Sequence, residues 1–432
     1  MSILIKNVHL VTGDADKMYA GTGNILIQHD RIAYIGREER EADVIMDRRG
    51  MIAMPGLINA HTHSPMVLMR NAADDLPLER WLNESIFPVE KKLTREHIHN
   101  GTMLALVEMI RGGTTAFLDM YFDVETTAEA VLQAGIRANL SYGLLTCHQL
   151  ENGLEAAREA CKGFRERYHG AGNGLLHTSL EVHSVYLYDE KLLEEAVRLS
   201  GEMGSMIHIH LHETKTEVEN SIKTYGRTPI SQCEKNGMLK GRVTAAHTVW
   251  VEGEDMDILK QYGVVPVHNP SSNMKLGSGF APVPEMIRKG ICPALGTDGA
   301  ASNNDLDMFC EMHLAGLIHK GAGLDATLMN AATVIGMATG NGARALGFTD
   351  IGMLKEGCKA DLILVDTDAP HLTPLLDPVA ALVYSTKASD VDTVIIDGKI
   401  LMEKKELKTL DQERIMYQAR KSARELTGKE PG

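Results

Sequence analysis

Basic charge is in short supply. The 44 Lys and Arg residues are outnumbered by 58 Asp and Glu, giving a formal net charge of −14 over 432 residues. Polyanions are drawn to basic surfaces, so nucleic acid is not an expected partner. A solvated surface accounts for the acidity, which names no ligand. No apolar run is long enough to span a bilayer, so no membrane partner is expected. The opening MSILIKNVHL has neither the apolar core nor the small-residue cleavage site of a secretory signal, and the expected compartment is the cytoplasm. The six cysteines, Cys147, Cys161, Cys233, Cys292, Cys310 and Cys358, include no C-x-x-C pair. That removes the usual grounds for a cysteine zinc site or a dithiol redox centre and leaves scattered reduced thiols. Short repeats and low-complexity tracts are also missing.

The remaining composition, 44% hydrophobic and 24% charged, is that of an ordinary globular enzyme. Short apolar runs alternate with longer amphipathic ones. Strands are expected at 57–60, 115–119, 137–144, 176–181, 206–210, 242–246, 264–267 and 291–295, with helices at 95–111, 124–134, 155–168, 189–203 and 255–262. Gly112, Gly135, Gly204 and Gly263 sit where helices should stop. Eight strands alternating with helices predict an α/β fold, a (β/α)₈ TIM barrel over residues 56–349, with a doubly wound sheet as the alternative. The ends differ. Short strands are expected at 3–7, 23–28 and 31–35, and again at 361–365, 393–396 and 399–401, the last two joined by the hairpin signal Asp397-Gly398. Neither end has enough strands alone. The expectation is a small β-sandwich domain assembled from residues 1–55 and 350–432, with residues 406–432 as a surface helix and loose tail.

Polar residues capable of chemistry follow the expected strands. His61-Thr62-His63 places two imidazoles on one side of an extended chain, where they can bite one cation; a pair of ordinary histidines reads the same way. Alternation puts His208, His210 and His212 on one face beside Glu213, and spacing does not decide which of them binds. His247 and Asp298 each follow an apolar run, as do His183 and the His268-Asn269 pair. A lone histidine there is more often structural, and a lone aspartate often caps a helix. All of them, however, fall at the C-terminal ends of expected strands, the end where barrel enzymes keep their active sites. Nitrogen and oxygen ligands suit zinc, iron(II) or manganese alike.

Seven segments carry a resemblance: PGLINAHTH (55–63), GGTTAFLDMY (112–121), HLHET (210–214), AAHTVW (245–250), VHNPSSNMKLGSG (267–279), LGTDGAASNN (295–304) and EGCKADLILVD (356–366). Over nearly its whole length the chain resembles the amidohydrolase superfamily, in the branch that contains methylthioadenosine and S-adenosylhomocysteine deaminases, guanine deaminases and chlorotriazine hydrolases. The resemblance implies that His61, His63, His210 and Asp298 hold one divalent metal, zinc before iron or manganese. No bridging lysine is implied, so one ion is expected rather than two. Glu213 becomes a proton shuttle, His247 the partner of the attacking water and Asp298 the acceptor of its proton, while His208 and His212 become packing or supporting residues.

HTHSPMVLMRNAADDLPLERWL followed by FPVE is most similar to adenosine-type deaminases. In such relatives the residue matching Glu90 meets the ribose hydroxyls, that matching His183 meets the purine and that matching Trp81 lines the pocket; Glu213 and Asp298 also face the substrate. The implied reaction is hydrolytic deamination of a 5′-modified adenosine (5′-methylthioadenosine, S-adenosylhomocysteine, 5′-deoxyadenosine or adenosine) to the inosine analogue and ammonia. The alternatives are a deaminase or dechlorinase of guanine, a pterin or a triazine, and a non-catalytic binding protein, against which the intact set of polar residues argues. The expected partner is a small nucleoside, with a homo-oligomer left open. One departure bears on the substrate tail. Some relatives acting on S-adenosylhomocysteine carry an arginine where this chain has Tyr142 and another in the next loop, leaving Arg158 or His148 as substitutes for gripping a carboxylate. Residues 64–94 are long enough to cover the site.

Overall fold

The computed structural model describes residues 1–14 and 17–429, with His148 and Gln149 described in the backbone only. Eight parallel strands run in chain order: β1 (Leu57–Thr62), β2 (Thr114–Met120), β3 (Arg137–Gly143), β4 (Leu176–Val182), β5 (Ile207–Leu211), β6 (Val243–His247), β7 (Val265–His268) and β8 (Ala294–Leu295). Each pairs with its neighbour, and the intervening helices cover the outside, so the strands read as nearly unbroken apolar runs. The ring closes between β8 and β1. The Thr297 amide donates to Asn59 Oδ1 at 3.0 Å, and the Asp298 amide donates to His61 O at 2.9 Å. β8 is shorter than its apolar run because Pro293 has no N–H to give the ladder.

Helices Arg95–Arg111 and Val124–Ala134 have the expected bounds, the first capped by Thr94. Gly135, Gly204 and Gly263 take left-handed conformations at helix ends. Gly112 does not (φ −82°); Gly113 (φ 84°) makes the turn instead. Among the described residues, no helix is long and apolar enough to cross a membrane.

The two ends meet in one nine-stranded sheet beside the barrel. Ser2–Val11 pairs antiparallel with Tyr19–Gln28 and parallel with Val44–Asp47 and Ile52–Pro55. Ile52–Pro55 is the seam, pairing antiparallel with Leu362–Val365 from the far end of the chain. Strict alternation gives this sheet two apolar faces. Ala53, Leu362 and Leu364 pack with Ile3, Ile5 and Ile25, whereas Ile52, Met54, Ile363 and Val365 join the barrel's core. Asp397 (φ 52°) and Gly398 (φ 72°) form the tight turn that their sequence signals. An ionic contact locks the sheet to the barrel, where the buried Arg137 Nε donates to Asp361 Oδ2 at 2.6 Å, and within the terminal domain Lys359 Nζ donates to Asp397 and Asp30, each at 2.7 Å. Of the expected C-terminal helix, Gln412–Thr427 forms, with Ile415, Ala419 and Leu426 buried, while Glu406–Leu407 is a last short strand.

Candidate active site

Side chains from four strand ends converge above the barrel. His61 and His63 come from β1, His210 and Glu213 from the end of β5, His247 from the end of β6 and Asp298 from just beyond β8. Ligand atoms of His61, His63 and Asp298 lie within 4.8 Å of one another, and so do those of His61, His210 and His247. His247 (φ 71°) and Asp298 (φ 63°) are left-handed without being glycine. Such a conformation costs about 1–3 kcal/mol and persists where the surroundings overdetermine it.

Counting protons shows what the cluster can hold. His63 Nδ1 lies 2.5 Å from Met120 O, and His210 Nδ1 lies 2.9 Å from His183 O. A carbonyl only accepts, so both Nδ1 atoms carry hydrogen, and in the neutral rings both Nε2 atoms present lone pairs. Those Nε2 atoms face each other at 3.3 Å. Asp298 Oδ1 lies 3.4 Å from His61 Nε2 and 3.2 Å from His63 Nε2. The His61 Nε2 atom is buried without a hydrogen-bond partner. Several acceptors therefore face one point, and a cation is what satisfies them. The crowding marks their acidities. Burial lowers His63, but the Asp298 carboxylate overrides it and raises the ring to about 9, a proton doing part of a cation's work. Burial likewise raises Asp298, but the two rings pull it well below the usual carboxylate range. The other oxygen of Asp298 accepts from Ser272 Oγ at 2.7 Å and Ser302 Oγ at 2.8 Å. Three nitrogens and a carboxylate suit one divalent ion such as zinc.

His61 is held from below. Its Nδ1 lies 2.9 Å from His208 Nε2, His208 Nδ1 lies 2.8 Å from Ser141 Oγ, Ser141 meets Ser179 at 2.9 Å, and Ser179 donates to Asn139 Oδ1 at 2.8 Å. With His61 Nε2 bare towards a cation, every link runs one way, each donor giving its hydrogen to the next residue down. His208 thus serves the cluster without reaching it. His212 departs from the expected alternation, because the strand ends at Leu211 and its own φ is 56°. Its ring turns aside to Trp250 O (2.7 Å) and the Ile230 amide (3.0 Å). His268 also lies apart, 3.2 Å from His319.

A cavity of about 270 Å³ opens over the cluster, lined by Glu213, His247, His183, Trp81 and Glu90 among others. A larger one of about 560 Å³ lies at the barrel's opposite end and contains none of these residues, so size does not mark the site. Burial raises Glu213, whose Oε2 lies 3.9 Å from His247 Nε2. His247 Nδ1 is tied to Asn273 Oδ1 at 2.9 Å. Burial pushes His183 down to about 4, so its ring is neutral. The Trp81 indole N–H is buried without a partner. Trp81 lies in a π-helical turn (Trp81–Ile86) within the covering segment, a geometry common at functional sites. Glu90 accepts from Tyr121 Oη at 2.9 Å.

Sequence reading missed Tyr121, Asn273, Thr146 and Glu181. The last two lie in the cavity wall, and nothing local in the sequence pairs them. Tyr142 is not in that wall; it is buried against Phe164, its hydroxyl 3.4 Å from Cys147 Sγ. Arg158 is engaged elsewhere by Glu195 and Glu202. The His148 side chain lies outside the described residues.

The amidohydrolase family model matches residues 52–401. A 5-methylthioadenosine/S-adenosylhomocysteine deaminase of Acetivibrio thermocellus is 47% identical over 435 residues, covering 99% of this chain and 100% of that one. A 5′-deoxyadenosine deaminase of Methanosarcina mazei is 43% identical, covering 99% of each. Among solved structures, an adenosine deaminase from Xanthomonas campestris with bound zinc superposes with a TM-score of 0.94 at 32% identity, covering 99% of each chain. An atrazine chlorohydrolase from Arthrobacter aurescens complexed with zinc gives 0.91 at 26%, covering 98% of this chain and 100% of that one. A full-length likeness in sequence and fold, with a convergent histidine and aspartate cluster at the strand ends, has one meaning: the chain belongs to the amidohydrolase family.

Proposed function

We propose that the protein is a metal-dependent hydrolase that deaminates adenosine nucleosides altered at the 5′ position, with His61, His63, His210 and Asp298 holding one divalent ion, zinc by analogy with the zinc-bound solved relatives. The observation that carries this reading is the meeting of a four-acceptor cluster with a buried acid, Glu213, at the floor of a nucleoside-sized pocket. When bound, the ion supplies an activated water.

The chain's own residues do the rest. Asp298 takes a proton from the attacking water. Glu213, whose hold on a proton burial strengthens, gives its proton to the ring nitrogen beside the attacked carbon, which makes that carbon electrophilic. His247, its Nδ1 hydrogen committed to Asn273, has Nε2 free to orient the water. A C–O bond forms, the C–N bond to the amino group breaks after a proton reaches it, and ammonia leaves the inosine product. The neutral His183 ring and the Trp81 N–H hold the purine, and the Glu90 oxygen not used by Tyr121 accepts a ribose hydroxyl. Glu90 favours a nucleoside over a free base.

The test is turnover by zinc-loaded protein on 5′-methylthioadenosine, S-adenosylhomocysteine, 5′-deoxyadenosine, adenosine, guanine and a chlorotriazine, following ammonia or chloride release. Ammonia from an adenosine compound is the expected result. Turnover of guanine or the triazine with none of any nucleoside would replace the substrate class, and silence on all six would reject the reading.

A further inference from the structure

Glu181 has no part in that chemistry. It stands two residues before His183 near the end of β4, so alternation points both towards the pocket, and both line it. Glu181 is fully buried. Thr146 Oγ1 donates to its Oε2, whereas Oε1 is buried with no hydrogen-bond partner among the described residues. Neighbouring β3 makes room for it: a Cβ on Gly143 would come within 2.6 Å of Glu181 Oε2. A carboxylate kept in an apolar wall with an acceptor free suits a ligand group.

Position and charge say which group. Among the described residues, no Lys or Arg lines the pocket; its charged residues besides histidine are Glu90, Glu181, Glu213 and Asp298. Phe87, Glu90, Phe122, Leu145 and Thr146 border both this pocket and an adjoining outer cavity. Glu181, held by Thr146, therefore stands beside the passage between the two. The outer cavity has Lys91 and Arg95, but Arg95 is paired with Asp123 at 3.3 Å. With the purine over the metal cluster and the ribose at Glu90, the part of a nucleoside that projects into this passage is the 5′ substituent. This step rests on the proposed function.

We propose that Glu181 is a specificity-determining residue that reads the 5′ end of the nucleoside: it accepts a hydrogen bond from a 5′ hydroxyl or protonated amine, tolerates a neutral thioether and repels a carboxylate. Like charges facing each other away from water discriminate strongly, whereas a neutral tail meets only the apolar wall. The substrates favoured are thus neutral or cationic at the 5′ end, and tails ending in a carboxylate are disfavoured.

The experiment uses three 5′-thioadenosines of similar length, ending in propyl, 3-aminopropyl and 2-carboxyethyl. For the wild-type protein, kcat/KM on the carboxylate is expected to be at least about tenfold below that on the propyl compound, with the amine at or above it. Glu181→Gln should shrink the propyl-to-carboxylate ratio by about tenfold. Thr146→Val, which removes the hydrogen bond that favours the ionised form of Glu181, should also shrink it and keeps the test alive if the first variant does not fold. Calorimetric binding of the corresponding inosine products should follow the same order. A wild-type enzyme that prefers the carboxylate, an unchanged ratio in Glu181→Gln, or an equal loss on all three compounds would overturn the inference. Absence of wild-type turnover on any adenosine compound would instead defeat the proposed function, so the two failures are distinct.

Discussion

The floor of the pocket and its wall are made differently. The floor is strand end. Its proposed metal-holding side chains are tied off behind: His63 to Met120 O, His210 to His183 O, His61 to His208, Asp298 to two serines. Nothing there can turn without losing a buried hydrogen bond. The wall is mostly loop and turn, with Leu78, Leu82 and Phe87 from the segment after β1, Phe122 after β2, and Tyr186 and Leu187 after β4. Apart from the hydrogen bonds of Glu90 with Tyr121 and of Glu181 with Thr146 its contacts are apolar, and Tyr186 is still 52% exposed. A floor so constrained serves one kind of reaction, while a wall so loosely tied can change. The solved relatives agree with that division. A deaminase and a chlorohydrolase share this chain's fold while differing from it at most positions. The chemistry belongs to the strand ends and the choice of molecule to the loops.

Substitutions can break that division. The largest effect is expected from Asp298→Ala, which removes an acceptor from the cluster and the proposed proton acceptor together. Turnover should fall by more than about 10⁴-fold on every substrate alike, with metal content falling in parallel by elemental analysis. A loss confined to one substrate would erase the distinction. Next comes Glu213→Gln, with turnover down by about 10²–10⁴-fold and full metal content. Normal turnover would remove Glu213 from the mechanism. His208→Phe cuts the support beneath His61, and zinc affinity in chelator competition should fall by about 10–100-fold, with His208→Gln falling less because its amide can still accept from Nδ1. Unchanged affinity in both would make the chain of hydrogen bonds below the metal mere filling. The smallest and most selective effect is Glu90→Ala, which should lower kcat/KM on nucleosides by roughly tenfold or more, the worth of a hydrogen bond to a charged group, and spare any free base that the enzyme accepts. Equal losses would move Glu90 from wall to floor.

The same division explains what could be read in advance. His61, His63, His247 and Asp298 each follow an apolar run, so a strand pattern plus a polar residue marks them, and the barrel follows from the same pattern. His212 was misplaced because alternation holds only while the strand lasts, and the strand stops at Leu211. Tyr121, Asn273, Thr146 and Glu181 carry no local mark. Glu90 and Tyr121 meet across 31 residues, and Thr146 and Glu181 across 35. Such pairs are set by the closed ring of strands, which brings loop ends together by geometry, and not by spacing along the chain. The bounds of β8 failed for a plainer reason, since an apolar run does not reveal that Pro293 cannot join a ladder.

The seam in the terminal sheet sets an order of events in synthesis. Arg31 donates to Gly357 O, 326 positions later, at 2.6 Å, and Ile52–Pro55 has no partner on that side until Leu362–Val365 exists. A ribosome adds about 5–20 residues each second, so the early strands wait on the order of tens of seconds with one edge open. An open edge is a template for any passing strand. Nascent chains halted before that point should be the sticky ones, and those carried past it should be quiet. The last part of the message thus acts as a clasp, and the protein is least safe just before it closes.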